Sequence, residues 1–188
     1  MLPADLPESE IVARAVQGEV EAFGWLYDKY VEAIYVFIYY QVSDQAQAED
    51  LTEVVFLKAF EKLPEFRTQK VMENFRAWVY RIARNLVIDT YRTQKTTVAL
   101  DPDLPLTSEE PPPENALQLQ QDYQQARALI DQLEPQFRQV MILRFINHLS
   151  YQEIAQAMDI KENYVRVLQH RALKKLRAQM ETETLPVK

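Results

Sequence analysis

Only two glycines, Gly18 and Gly24, occur among the 188 residues of this sequence. Tight strand reversals need backbone conformations that glycine adopts most readily, so a chain this poor in glycine has few places to turn a β-hairpin. An all-α fold is the expectation. The stretch Leu149 to Arg177, LSYQEIAQAMDIKENYVRVLQHRALKKLR, sharpens it. Ser150 and Glu153 stand three apart, the spacing of a capping box that starts a helix. Ile154, Ala155 and Met158 follow at helical spacing, and then Asp159-Ile160-Lys161 interrupts. Asp159 is a residue type that tolerates the left-handed backbone of a tight corner. A second helix is expected from Glu162 or Asn163 to about Arg177. On it Val165, Leu168, Ala172 and Leu176 line one face, and Arg166, His170, Lys174 and Arg177 line another. A short helix, a tight turn and a longer basic-faced helix make a helix-turn-helix, whose second helix enters the major groove of DNA.

A net charge of −7 is the wrong sign for binding DNA, so the distribution of charge matters more than its sum. Between Phe66 and Lys95 seven basic residues face two acidic ones, a net of +5. Between Lys161 and Arg177 six face one, again +5. The excess acid lies elsewhere, notably at Asp101, Asp103, Glu109, Glu110 and Glu114. The absence of cysteine excludes disulfides and thiolate chemistry and suits a reducing compartment. The opening MLPADLPESE lacks the basic and apolar regions of a signal peptide, and the most apolar run, Ala33 to Tyr40, is too short to span a bilayer. A cytoplasmic protein without membrane insertion is expected. No nucleophile–base pair or metal-ligand spacing stands out, so neither an enzyme nor a cofactor or metal site is expected.

In chain order, Ser9 is the expected cap of a first helix ending near Gly18. A longer helix carries Phe23, Leu26, Tyr27, Tyr30, Ile34, Phe37 and Ile38 as a core stripe. After a turn at Ser43-Asp44, a third helix is expected from Ala48 to Leu63, stopped by Pro64. It is apolar on more than one side, as suits a central helix or one with a docked partner. A loop from Pro64 to Met72 carries Phe66 and Arg67. The fourth helix, from about Glu73 to Arg92, has Phe75, Trp78, Val79, Ile82 and Leu86 on its inward stripe. Its other side presents Arg81, Arg84, Asn85, Ile88, Asp89 and Arg92, interleaved with Tyr80 and Tyr91. Cations, an amide and aromatic rings in this arrangement suit a nucleic-acid strand, whose phosphates they neutralise and whose bases they stack or hydrogen-bond. Residues 96–113, rich in proline and acid, read as a linker. Helical character resumes from Glu114 to Leu133, and Pro135 suits the first position of the next helix. Four segments follow from this: a first domain over 1–95, the linker, a helix-turn-helix domain over 114–182, and a tail, 183–188.

The two motifs together resemble a family. AEDLTEVVFLKAF followed by FRAWVYRIARNLVIDTYR is similar to the promoter-melting region 2 of a bacterial sigma-70 family factor. LEPQFRQVMILRFINHLSYQEIAQAMDIKENYVRVLQHRALKKLR is similar to region 4, which reads the −35 element. Two domains only and a short acidic linker resemble the extracytoplasmic-function (group 4) type, over about Glu10 to Met180. The resemblance implies a non-catalytic subunit that binds core RNA polymerase and promoter DNA. It implies core contacts at Asp50 and Leu51, with Val54 standing where the family commonly has Glu. For the −10 element it implies Phe66, Arg67, Arg81, Asn85 and Asp89, with Asn85 reading a base edge; Trp78 is also a family position, but its apolar spacing assigns it to the core. For the −35 element it implies Arg166, His170 and Arg171, with Lys174 beside them. Leu168 and Gln169 depart from the family pattern, and Leu168 is expected to join the core. An anti-sigma inhibitor would suit apolar surface on both domains, although no residue identifies one. The rival reading is a stand-alone helix-turn-helix regulator, which would bind promoter DNA without polymerase.

Overall fold

The computed structural model describes residues 6–66, 74–97 and 128–184, with side chains given to residue 93 in the second segment and to residue 180 in the third. Arg67 and the linker therefore lie outside the described residues. Among the described residues the helices used below follow in order: α1 (Glu8–Val16), α2 (Val20–Val42), α3 (Gln45–Phe66), α4 (Phe75–Thr97), α5 (Pro135–Met141), α6 (Tyr151–Met158) and α7 (Glu162–Thr184). Between α5 and α6 the chain widens into a π-helical turn, Ile142–Ile146. No strand occurs among the described residues.

Helices α1 to α4 form the first unit, and α2 carries its spine. Leu26, Tyr30, Ile34, Phe37 and Ile38 recur at three-four spacing and are all buried. Ser43, at φ +59°, turns the chain, and the Asp44 carboxylate accepts the Gln47 amide at 2.7 Å. That cap starts α3 at Gln45, ahead of the expected Ala48. Two other expected boundaries are corrected. Ser9 does not cap α1: Pro7 holds the cap position in extended backbone, and Glu8 and Glu10 place negative charge on the first turn. Nor does Pro64 stop α3, which continues to Phe66. Proline in a last turn removes one N–H bond, and burial of Leu63 and Phe66 offsets that loss.

The second unit is the expected helix-turn-helix. Glu134 precedes Pro135 at the first helical position of α5. Ser150 accepts the Glu153 amide at 3.2 Å while the Glu153 carboxylate accepts the Ser150 amide at 2.7 Å, a complete capping box. Asp159, at φ +56°, makes the left-handed corner. Val165, Leu168 and Ala172 of α7 pack inward, and α7 runs on to Thr184, past the expected end near Arg177. The apolar core is continuous from the first unit into the second, with α4 lying against α6.

Candidate nucleic-acid interface

Two basic strips emerge on the surface. The first lies along α4, where Arg81, Asn85 and Asp89 follow one another at i, i+4 spacing on successive turns. Asn85 and Asp89 are exposed, while Arg81 and Arg84 are half-buried. Arg84 donates through Nε to Oε1 of Gln139 at 2.9 Å, and its Nη1 reaches Oδ1 of Asn85 at 3.5 Å. Burial, with Arg81 beside it, lowers the Arg84 pKa from its ordinary value, against the opposing pull of Asp159. Arg81 pairs with Asp159 at 3.4 Å.

Two aromatic residues assigned to this strip are not on it. Phe66 ends α3 and is buried, its ring 5.0 Å from that of Trp78 and 6.1 Å from that of Phe75. The expected loop position would have left this ring free to stack on a base, but packing into the aromatic cluster removes it from the surface. Tyr80 is fully buried against Phe37, with ring centroids 5.5 Å apart. Burial pushes its phenol up to about 12, with Arg76 and a hydrogen bond from Asn147 pulling the other way. Tyr91 stays exposed, although its hydroxyl donates to the Gln41 carbonyl. Trp78 is in the core, as its spacing suggested.

The second strip lies on α7, where Arg166, His170, Arg171 and Lys174 are all exposed on the side opposite Val165, Leu168 and Ala172. Leu168 is 1% exposed, so the departure at this position is absorbed by the core. Arg166 pairs with Glu162 at 2.7 Å, and its guanidinium lies 4.0 Å from the centre of the Tyr151 ring. Arg144 covers the same ring at 4.7 Å and donates to the Leu149 carbonyl at 2.7 Å. Tyr151 thus orients Arg166 through its π face. Reading the α7 sequence alone did not reveal this support, because Arg144 and Tyr151 lie before the helix. Tyr164 and Val167, each 41% exposed, add an apolar edge beside Arg166. Neither belongs to the stripe of Val165, Leu168, Ala172 and Leu176, and their exposure is seen only in the fold.

A third surface is apolar. On α3, Leu57 is 59% and Phe60 48% exposed, and from α2 the Phe23 ring lies 5.0 Å from that of Phe60 and the Tyr27 ring 4.8 Å from that of Phe56. Asp50 is exposed one turn before Val54, whereas Leu51 is 9% exposed and contributes mostly to the core. No cluster of residues suited to holding a metal occurs among the described residues, and no helix among them is long and apolar enough to cross a membrane.

A helical bundle with a basic strip on one helix, tethered to a helix-turn-helix with a second strip, defines a two-module DNA-recognition protein. The family model for Sigma-70 region 2 matches residues 26–97, and that for Sigma-70, region 4 matches residues 129–178. The chain is 35% identical over 168 residues to the ECF RNA polymerase sigma factor SigX of Bacillus subtilis, covering 86% of this chain and 84% of that one. It is 36% identical over 173 residues to the ECF RNA polymerase sigma factor BldN of Streptomyces coelicolor, where it spans 89% of itself and 63% of the relative. A solved structure of CnrH in complex with the cytosolic domain of CnrY shares the fold at a TM-score of 0.71 and 22% identity, covering 94% of this chain and 99% of that one. The sigma factor RpoE of Bartonella quintana, in a co-crystal with the anti-sigma factor NepR, does so at 0.66 and 19%, covering 85% and 96%. The chain belongs to the extracytoplasmic-function sigma factors of the sigma-70 family. It is a promoter-specificity subunit for transcription initiation and not an enzyme.

Proposed function

We propose that the α4 strip reads the −10 element, that α7 reads the −35 element, and that the outer face of α3 docks on core RNA polymerase. The observation that carries this reading is the placement of two separate basic strips on a chain of net charge −7. Cations neutralise phosphates without regard to sequence, whereas Asn85, exposed among Arg81, Arg84 and Asp89, has both a donor and an acceptor to offer a base edge. On α7, Arg166 and Arg171 can each take a guanine through two acceptors, with roughly 1–3 kcal/mol of discrimination per good pair. His170 and Lys174 flank them, and Val167 with Tyr164 offers apolar contact to a thymine methyl. Arg67 remains assigned to the −10 contact by resemblance; Phe66, buried, is left out of it.

Asp50 supplies the charge at the edge of the docking face, and Leu57 with Phe60 supplies its apolar area. An anti-sigma inhibitor would compete for this same surface. The modules are assigned as residues 1–95 and 114–182, joined by 96–113, in a cytoplasmic protein. Run-off transcription with purified core enzyme on a promoter library tests the reading. Transcripts from defined start sites that require both core and this chain are expected. Tight, specific binding to duplex promoters by the chain alone, with no core-dependent start, would instead establish a stand-alone regulator.

A further inference from the structure

Helix α7 begins one residue before Asn163, and the geometry of its first turns governs which side chains can reach a base. At about 3.6 residues per turn, Asn163 shares a face with Arg166 and Val167 one turn on and with His170 two turns on. All four are exposed, and this face lies opposite the buried Val165, Leu168 and Ala172. In a helix-turn-helix the N-terminal residues of the second helix meet the base edges. At a rise of about 1.5 Å per residue, Lys174 stands about 16 Å along the axis from Asn163. That exceeds the major-groove width of about 12 Å. A helix entering by its first turn therefore leaves Lys174 at the phosphate wall and brings Asn163 to the bases.

The neighbours of Asn163 leave it room. Arg166 pairs with Glu162 at 2.7 Å, and its guanidinium lies 4.0 Å from the centre of the Tyr151 ring. Viewed down the helix, Arg166 stands between Glu162 on one side and Asn163 on the other, because successive residues turn by about 100°. The pair with Glu162 thus draws the Arg166 side chain away from Asn163. The middle of the exposed face is left to a carboxamide, with Val167 beside it. A carboxamide holds a donor and an acceptor side by side. In the major groove adenine presents the matching pair, its N7 accepting and its N6 amino group donating, whereas guanine offers two acceptors. A neutral amide also gains little from phosphates alone, so its worth at this position lies in a base.

We propose that Asn163 is a specificity-determining residue of this chain, whose amide reads an adenine of the −35 element through both major-groove groups. The inference rests on the assignment of α7 to that element. Asn163 and Arg166 are separated by about 4.5 Å along the axis, against about 3.4 Å per base on one strand. The adenine is therefore expected about one or two base steps from the base that Arg166 reads.

The test uses the holoenzyme formed from core RNA polymerase and the full-length chain, with run-off transcription from templates randomised through the −35 element. The parent should favour adenine at one position by about ten-fold, the size of a good two-bond base contact. Asn163→Ala should flatten that position to about two-fold or less and leave preferences elsewhere as they were. Asn163→Asp, which can only accept, should move the preference there to cytosine, whose N4 amino group donates. Arg166→Ala marks the register, and the position it alters should lie within about two steps of the adenine. Helix content of the free variants should match that of the parent by circular dichroism. An adenine preference unchanged in Asn163→Ala would overturn the proposal, and so would an equal loss on every template, the mark of a phosphate contact or a structural role. If Arg166→Ala alters a −35 position while Asn163→Ala alters none, α7 still reads the element and only the role of Asn163 falls. Starts by the parent that ignore the −35 sequence would strike the assignment of α7 as well.

Discussion

Asn85 is the residue on which sequence and structure meet most directly. It is exposed on α4, one turn from Arg81 and one from Asp89, and it accepts a hydrogen bond from Arg84 of the same helix, not from the α3 face proposed for docking. Asn85→Ala should therefore lower promoter opening about ten-fold, the size of one lost base contact, while co-purification with core stays at the parent level. Opening equal to that of the parent would remove Asn85 from the −10 assignment. Glu153 provides a second prediction. Burial raises its carboxyl, but the Ser150 amide and hydroxyl, Arg76 and Asn74 more than reverse this, so the folded pKa lies below the ordinary carboxylate value. Its contribution is thus present above that ordinary value and is lost as pH falls through the lower folded value. Tyr30, Lys29 and Glu8 line the same groove as Glu153, so the control must isolate Glu153. Urea melts on descent from about pH 7 to about pH 3 should show a smaller loss of stability in Glu153→Gln than in the parent. Parallel losses would contradict the assignment of this group.

At the scale of the element, most of the helices were legible because each carries its own signal. The capping box of α6, the corner at Asp159, the proline opening α5 and the periodic stripe of α2 are local patterns, and each forms as its spacing implies. What stayed hidden depended on contacts distant in sequence. Phe66 read as a loop aromatic because its partners, Phe75 and Trp78, lie on the next helix. Tyr80 read as surface because nothing local says that Phe37 will cover it. The same reasoning separates two neighbours on α7. Leu168 is buried and Val167 is exposed, so Leu168→Ala should destabilise the second module by about 2–5 kcal/mol, whereas Val167→Ala should cost about 0.5 kcal/mol or less. Val167→Ser should instead shift the preferred −35 base at its position, read by run-off on a randomised −35 library. Comparable loss of melting temperature in both alanine variants would mean that α7 is rotated from the placement described.

On the scale of the whole molecule, three surfaces divide the work, and their chemistry explains why the chain needs a larger partner. Two strips carry positive charge and are the ones proposed to meet DNA; the third, on α3, carries Leu57 and Phe60 in the open, with Asp50 near its end. Exposed apolar side chains on neighbouring turns of one helix gain little by themselves, yet burying both against another protein contributes at about 25 cal/mol per Å² of apolar area covered. Basic strips on a chain of net charge −7 hold DNA weakly at physiological salt, so docking must come first and bring the strips to the promoter. Charge reversal at Asp50 is expected to weaken association with core, and Leu57→Asp should weaken it further, by about ten-fold or more, because it inserts an unpaired charge into a dry contact. Both positions are on the outside of α3, so helix content and melting temperature should hold. Affinity for core, measured by titration of a labelled chain, checks this, and unchanged affinity in Leu57→Asp would move the docking face away from α3.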